Sequence, residues 1–253
     1  CALRSTSDFI HYLELDPVQR QYDHDQLTLS MLYAYCEHYV LTLGTRSAGE
    51  ISEFMDKLPG DEKQKLAQIR AAYTYQMLHP GIKMTSPGKE LSREMETFFH
   101  DLNELYCSHP ALWQKDHEYE GFEWIQLMKY EENVLTFMRK TEKPEETLVA
   151  VVNFAAVPYE NYQIGVPFKG KYKEIFNSDR KEYGGMGAGN PRAKSSKAEE
   201  CDERENSLKI RIPAFGAVVL SCTLAEKAEK KPLKKPAARK RSTAKKTSKK
   251  PAA

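Results

Sequence analysis

Near Gly121 the spacing of apolar side chains changes, and that change decides what each half of this chain can become. Upstream, apolar residues recur every three or four positions. Leu66, Ile69, Tyr73 and Met77 do so within 63–78, and Met95, Phe98, Phe99, Leu102 and Leu105 within 91–106. Each set falls on one face of a helix, which predicts one buried side per helix. Downstream the period is two, at 122–125, 134–139, 147–154, 172–176, 207–212 and 216–221. Six or more short strands at this spacing predict an antiparallel β-sandwich.

Turn residues punctuate both halves. Pro59-Gly60-Asp61 opens the first long helix, His79-Pro80-Gly81 ends it, and Pro110 limits the second. Ser7 or Asp8 is expected to cap a short helix that Pro17 closes, residues 26–34 read as helical, and 39–43 is a β-prone run stopped by Gly44. Turns fall at Glu142-Lys143-Pro144, Phe168-Lys169-Gly170 and Asn177-Ser178-Asp179. The stretch 184–206 opens glycine-rich and continues polar, so it reads as a long flexible inter-strand loop. It lacks the GxxxxGK[ST] order and does not lead into a helix, so it is no phosphate cradle.

Charge is divided unequally. Residues 226–253 hold twelve Lys/Arg and two acidic residues, a net +10, whereas the first 225 residues hold 26 basic and 34 acidic ones, a net −8. Attraction to polyanions is therefore expected from the tail, at Lys234, Lys235, Arg239, Lys240 and Arg241, and not from the body. The tail has too little apolar surface to offset the entropy of ordering and is expected to be disordered.

Five scattered cysteines, Cys1, Cys36, Cys107, Cys201 and Cys222, form no CxxC, which suits a reducing compartment and excludes a zinc ribbon. No apolar run approaches the ~20 residues that span a bilayer, so a cytoplasmic protein without membrane contact is expected. A start at Cys1 in place of Met points to a natural start further upstream.

Chemistry-bearing motifs are sparse. His24 lies between Asp23 and Asp25, with His11 and His38 nearby, but the spacing matches no metal signature and reads as surface histidine; no metal or cofactor is implied. No GxSxG or HExxH is present. Trp113, Tyr119, Phe122 and Trp124 crowd the junction between the halves, where glucan contact and interdomain packing are both open to them.

Several blocks nevertheless follow one order: Asp16-Pro17, the run 22–28, the run 31–35, Asp56-Lys57-Leu58-Pro59-Gly60-Asp61, His109-Pro110-Ala111-Leu112-Trp113, Gly121-Phe122-Glu123-Trp124-Ile125, Phe176-Asn177-Ser178-Asp179, Tyr183-Gly184-Gly185 and Ile212-Pro213. These blocks resemble the C-terminal half of bacterial glycogen (1,4-α-glucan) branching enzymes of the α-amylase superfamily. The resemblance implies α/β plus all-β architecture: the last strands and helices of a partial (β/α)8 barrel over 1–115, an amylase-type C-terminal β-sandwich over 116–224, and a disordered basic tail over 225–253.

In that family a nucleophilic Asp, an acid/base Glu and a supporting Asp move an α-1,4-linked chain to a 6-hydroxyl through a covalent intermediate. The resemblance places the first two upstream of this chain. It places the third after Val40-Leu41-Thr42-Leu43, where Gly44-Thr45-Arg46-Ser47 stands and Arg46 occupies the supporting Asp position. A cation cannot accept the hydrogen bonds that a carboxylate accepts from sugar hydroxyls. The expectation is a truncated or degenerate branching enzyme, inactive as this chain. Its expected partners are α-glucan such as glycogen or amylose and a missing N-terminal enzyme portion; the alternative is an interaction protein whose tail binds nucleic acid or another polyanion.

Overall fold

The computed structural model describes residues 2–29, 31, 35, 40–43, 51–85 and 92–225. Helix α1 (Ala2–Glu14), a 3-10 turn at Arg20–Tyr22 and α2 (Asp25–Thr28) precede β1 (Val40–Leu43). Helices α3 (Ile51–Lys57) and α4 (Glu62–Leu78) then return the chain to β2 (Ile82–Thr85), which pairs with β1 in parallel, Val40 opposite Ile82 and Thr42 opposite Met84. Parallel pairing requires a crossover connection, usually helical, and α3 and α4 supply it. Helix α5 (Arg93–Ser108) follows.

Two helix positions differ from expectation. α1 begins at Ala2, so Ser7 and Asp8 lie inside it and not at its start. The helix expected over 26–34 is described only as α2; residues 30 and 32–34 lie outside the described set.

α4 starts where the turn residues direct. Asp61 accepts from the Gln64 N–H at 2.9 Å while Gln64 Oε1 accepts from the Asp61 N–H at 3.0 Å, a reciprocal cap. Gly60 before it has φ of 100°, a backbone conformation that side chains disfavour. The expectation of a single buried face is corrected here. Every residue from Gln68 to Leu78 is buried, because α4 lies between a β-sheet on one side and α3, α5 and β1 on the others. Its polar groups are matched inside: Thr74 Oγ1 donates to the Arg70 carbonyl at 2.7 Å, and Gln68 Nε2 to the Pro59 carbonyl at 2.8 Å. α5 does keep one apolar face, and the five residues read from the sequence are its buried ones.

From residue 122 onward the chain is antiparallel sheet. The strands β3 (Phe122–Gln126), β4 (Val134–Arg139), β5 (Leu148–Asn153), β7 (Gly170–Asn177), β8 (Lys194–Ser195) and β10 (Gly216–Leu224) form one sheet in the order β3-β4-β5-β10-β7-β8. β6 (Tyr159–Val166) and β9 (Asn206–Ile212) form a separate antiparallel pair. β6 was not evident in the sequence because Glu160 stands two positions before Tyr162, where the alternation of Tyr162, Ile164 and Val166 calls for an apolar residue, and the register shifts between Tyr159 and Tyr162.

All residues of β4 and β5 are buried, so the large sheet is covered on both faces. Phe137, Ala150, Val152 and Val219 face α4 and α5, in a cluster with Tyr73, Leu78, Phe98 and Leu102. Val149, Val151, Val218 and Leu220 face the β6/β9 pair and its Ile164, Val166, Ile210 and Ile212. The first cluster runs through residues on both sides of position 115.

The stretch 184–206 is not a loose loop. The Asp179 carboxylate accepts from the N–H groups of Met186 at 2.9 Å and Ala188 at 3.0 Å, and Asn190 bonds both Glu174 and the Arg211 backbone. Asp179 and Glu174 thus act as pegs for the chain around them, and β8 adds a short strand to the sheet edge. Of the expected disordered tail, Ala225 is described, its N–H donating to the Lys169 carbonyl at 3.0 Å, and the remainder lies outside the described residues.

Three buried arginines join the helices to the sheet. Arg20 donates to the Phe154 carbonyl at 2.9 Å, to the Leu13 carbonyl at 2.6 Å and to Gln68. Arg70 on α4 donates to the carbonyls of Ser178 at 2.8 Å and Tyr183 at 3.1 Å. Arg139 on β4 donates to the carbonyls of Leu78 at 2.7 Å and Leu112 at 3.1 Å and to Asp116 at 2.6 Å. Replacing Arg139 by Met orphans buried carbonyls and removes one of the two cations on Asp116. We expect a loss of about 3–5 kcal/mol in urea unfolding.

Candidate functional site

Arg46, Lys234, Lys235, Arg239, Lys240 and Arg241 lie outside the described residues. The junction aromatics separate into two groups. Trp124 is half-buried, with its indole edge-on to Phe122 at 4.9 Å and to Phe137 at 5.7 Å between ring centres. Trp113, at the end of the 3-10 turn Pro110–Leu112, is 45% exposed, and Tyr119, at the start of the turn Tyr119–Gly121, is 71% exposed. The latter two present ring surface to solvent and can meet an external ligand.

His24 is only 5% exposed, which corrects its reading as a surface histidine. Burial pushes its imidazole below the usual histidine range, opposed by the Leu127 backbone, Asn133 and Asp25. Asp23, beside it, accepts from Gln26 Nε2 at 2.9 Å.

Between β2 and the large sheet lies a cluster that sequence reading missed. Lys83 Nζ is 2.9 Å from Asp116 and 4.9 Å from the centre of the Tyr106 ring, and Arg139 holds the other oxygen of Asp116. The side chains of Lys83, Asp116 and Arg139 are 6%, 8% and 1% exposed. Burial pushes the Lys83 ammonium down to about 8, with Arg139 adding to the fall and Asp116 resisting it. His79, next to this cluster, donates from Nδ1–H to the Pro80 carbonyl at 2.8 Å, and burial pushes it down to about 4. Two cations on one carboxylate form a clamp that fixes β2 to the sheet. Separations of 33 and 23 residues in the chain gave no local pattern by which to find it.

A second group is on α5. His100, Asp101 and Glu104 bring one ligand atom each within 4.8 Å of one another. Asp101 already accepts from the Tyr183 hydroxyl at 2.7 Å, and His100 and Glu104 are exposed. Two cavities of about 260 and 340 Å³ flank Arg180, one edged by Glu104, Ser108 and His109, the other by Glu174, Asn177 and Lys181. The first also has an apolar wall of Leu105, Ile175 and Phe176, whereas the second is lined by carboxylates, the amides of Asn177 and Asn190, and the cations Arg180 and Lys181.

Residues 124–223 match the family model described as alpha amylase, C-terminal all-beta domain. The chain matches the α-amylase superfamily. It is 36% identical over 250 residues to the 1,4-alpha-glucan branching enzyme GlgB of Bacillus cereus strain AH820, covering 89% of this chain and 38% of that enzyme. The GlgB enzyme of Bacillus anthracis matches at 35% identity with the same shares. The aligned region is the C-terminal part of these enzymes, so this chain spans 38% of the length of the curated relatives it matches.

Solved structures agree at the level of fold. The maltotriose complex of PulA from Klebsiella pneumoniae superposes with a TM-score of 0.55 at 9% identity, over 84% of this chain and 32% of that one. The Nostoc punctiforme debranching enzyme gives 0.51 at 12% identity, over 82% and 40%. Among the described residues no helix is long and apolar enough to cross a membrane.

His79 sets a pH dependence. Its pKa is lowered from 6.5 to about 4 by folding, so between those values the unfolded chain binds a proton that the folded chain refuses. Stability from this group is complete above about pH 6.5 and is lost as pH falls toward 4, by about 3 kcal/mol. Urea unfolding at pH 7 and at pH 4.5 measures the loss, and His79→Gln should reduce it.

Proposed function

We propose that this chain is a truncated or degenerate 1,4-α-glucan branching enzyme that binds α-glucan and does not transfer chains on its own. In this reading the β1/β2 pair with α3 and α4 is the end of a (β/α)8 barrel, residues 116–224 are the amylase-type β-sandwich, and 225–253 form a disordered tail. The observation that carries it is the 36% identity over 250 residues confined to 38% of the relative's length. The two reacting carboxylates that retaining transfer needs fall in the part of the relatives that this chain does not match. The supporting acid position, carried over from the family resemblance, is Arg46, so completing the barrel would still leave that acid missing.

Trp113 and Tyr119 are the residues we assign to glucan contact, because exposed aromatic rings stack on sugar faces and both remain open to solvent. Trp124 packs against Phe122 and Phe137 in the sheet and is left out of this assignment. The charge of the tail favours a second role in binding nucleic acid or another polyanion through Lys234, Lys235, Arg239, Lys240 and Arg241.

Isothermal titration with glycogen and amylose, together with an iodine-spectrum branching assay, tests the first role. We expect binding with no change in chain-length distribution. Replacing Trp113 and Tyr119 by Ala should weaken binding about tenfold, near 1.4 kcal/mol. Branching by this chain, or no binding at all, would refute the reading. Salt-sensitive DNA binding that vanishes on deleting residues 226–253 would identify the tail as the polyanion site.

A further inference from the structure

The larger of the two cavities beside Arg180, about 340 Å³, is lined by Glu174 and Asn177 of β7, by the 3-10 turn Lys181–Tyr183 and by the stretch 187–191. Its buried polar groups are held by the chain itself. Asn177 Nδ2 donates to the Ala188 carbonyl at 2.9 Å, Asp179 accepts from Met186 and Ala188, and Asn190 donates to Glu174 Oε2 from its N–H and its Nδ2, both at 2.9 Å. A fixed set of unused groups is left. Glu174 Oε1, on the carboxylate that Asn190 grips by its other oxygen, accepts from no donor among the described residues, and neither Lys181 nor Glu182 has an ion-pair partner among them. Gly189 keeps the space in front of Glu174 open, because a Cβ there would stand 2.9 Å from Glu174 Oε1 and 3.3 Å from Asn177 Nδ2.

The charges around the cavity select the class of ligand. Glu174, Asp179 and Glu182 oppose an anion, and Arg180 and Lys181 oppose a metal ion. A hydroxyl both donates and accepts, so one uncharged polyol can give a proton to the carboxylate and take one from the ammonium. Pro191 and the stem of Lys181 add apolar surface for the C–H face of a sugar ring. We propose that this cavity binds a hexose ring, with hydroxyls donating to Glu174 Oε1 and accepting from Lys181 Nζ. Its volume, near the lower end of the roughly 300–1,000 Å³ that small-molecule sites occupy, limits the occupant to a short piece. Two sources carry this chemistry, a glucosyl unit of an α-glucan and a free hexose. The first rests on the reading given under Proposed function and makes the cavity an attachment point separate from Trp113 and Tyr119.

NMR titration of the full chain with glucose and with maltotriose, following the side-chain amide signals of Asn177 and Asn190, tests the proposal. We expect both sugars to shift these signals, equally in the parent and in the Trp113→Ala, Tyr119→Ala variant. Glu174→Gln keeps the Asn190 bonds through its amide oxygen and turns the unused acceptor into a donor. Combined with Lys181→Ala, at an exposed side chain, it should weaken both sugars about tenfold and leave the urea midpoint unchanged. Maltotriose bound more tightly than glucose assigns the site to an α-glucan, and equal affinity assigns it to a free hexose. The proposal is overturned if neither sugar moves these amides, if the Glu174→Gln, Lys181→Ala variant binds as well as the parent, or if inorganic phosphate binds there in place of sugar. Glycogen titration separates the two readings: glycogen bound with these amides unmoved removes only the cavity, whereas glucose bound here without any glycogen binding keeps the cavity and refutes the glucan reading.

Discussion

Everything in this molecule depends on backbone carbonyls at layer boundaries finding donors. The large sheet and the helices both end in carbonyls that point into a dry interface, where an unpaired acceptor costs about 1–3 kcal/mol. Arg20, Arg70 and Arg139 answer this by reaching across with several donors each, to Phe154, to Ser178 and Tyr183, and to Leu78 and Leu112. A guanidinium suits the task because its donors lie in a fixed fork. Burial pushes Arg20 down to about 10 and also lowers Arg70, yet both stay charged near neutrality.

These cross-links explain why the helical and β portions share one apolar cluster. Phe137 and Val152 of the sheet belong with Tyr73 and Phe98 of the helices, and the arginines run along the edge of that cluster. The sheet therefore carries two unlike faces. One rests on helices through aromatic rings, such as Tyr75 against Phe154 and Phe98 against Phe176; the other meets the β6/β9 pair through branched aliphatic residues.

The sequence was legible where burial is one-sided. α5 has one wet face, so its apolar stripe names its core residues. α4 does not, because sheet and helices surround it, and Gln68, Arg70 and Gln76 at buried positions conceal that from any count of apolar spacing. The pegs at Glu174 and Asp179 were illegible for a related reason: a carboxylate that satisfies backbone N–H groups looks in sequence like any surface acid. For the site, a role for Arg46 is only what the resemblance implies, and the Lys83–Asp116–Arg139 clamp is assembled from two strands and the loop between α5 and β3. The exposure of Trp113 and Tyr119 and the burial of Trp124 are set by tertiary packing that aromatic content does not reveal.

The order of strands in the large sheet has a consequence for how the chain acquires its structure. β10, the last in chain order among the described strands, lies between β5 and β7 and bonds to both. Until it emerges, β3-β4-β5 and β7-β8 are two sheet fragments with facing open edges and no hydrogen bonds between them. Closure is thus a late, nonlocal event in which one strand zips two edges at once, the kind of step that slows folding and leaves edges open to wrong partners in the interval. A chain broken off before Gly216 would keep those edges bare, so the integrity of its far end governs whether the earlier strands assemble at all.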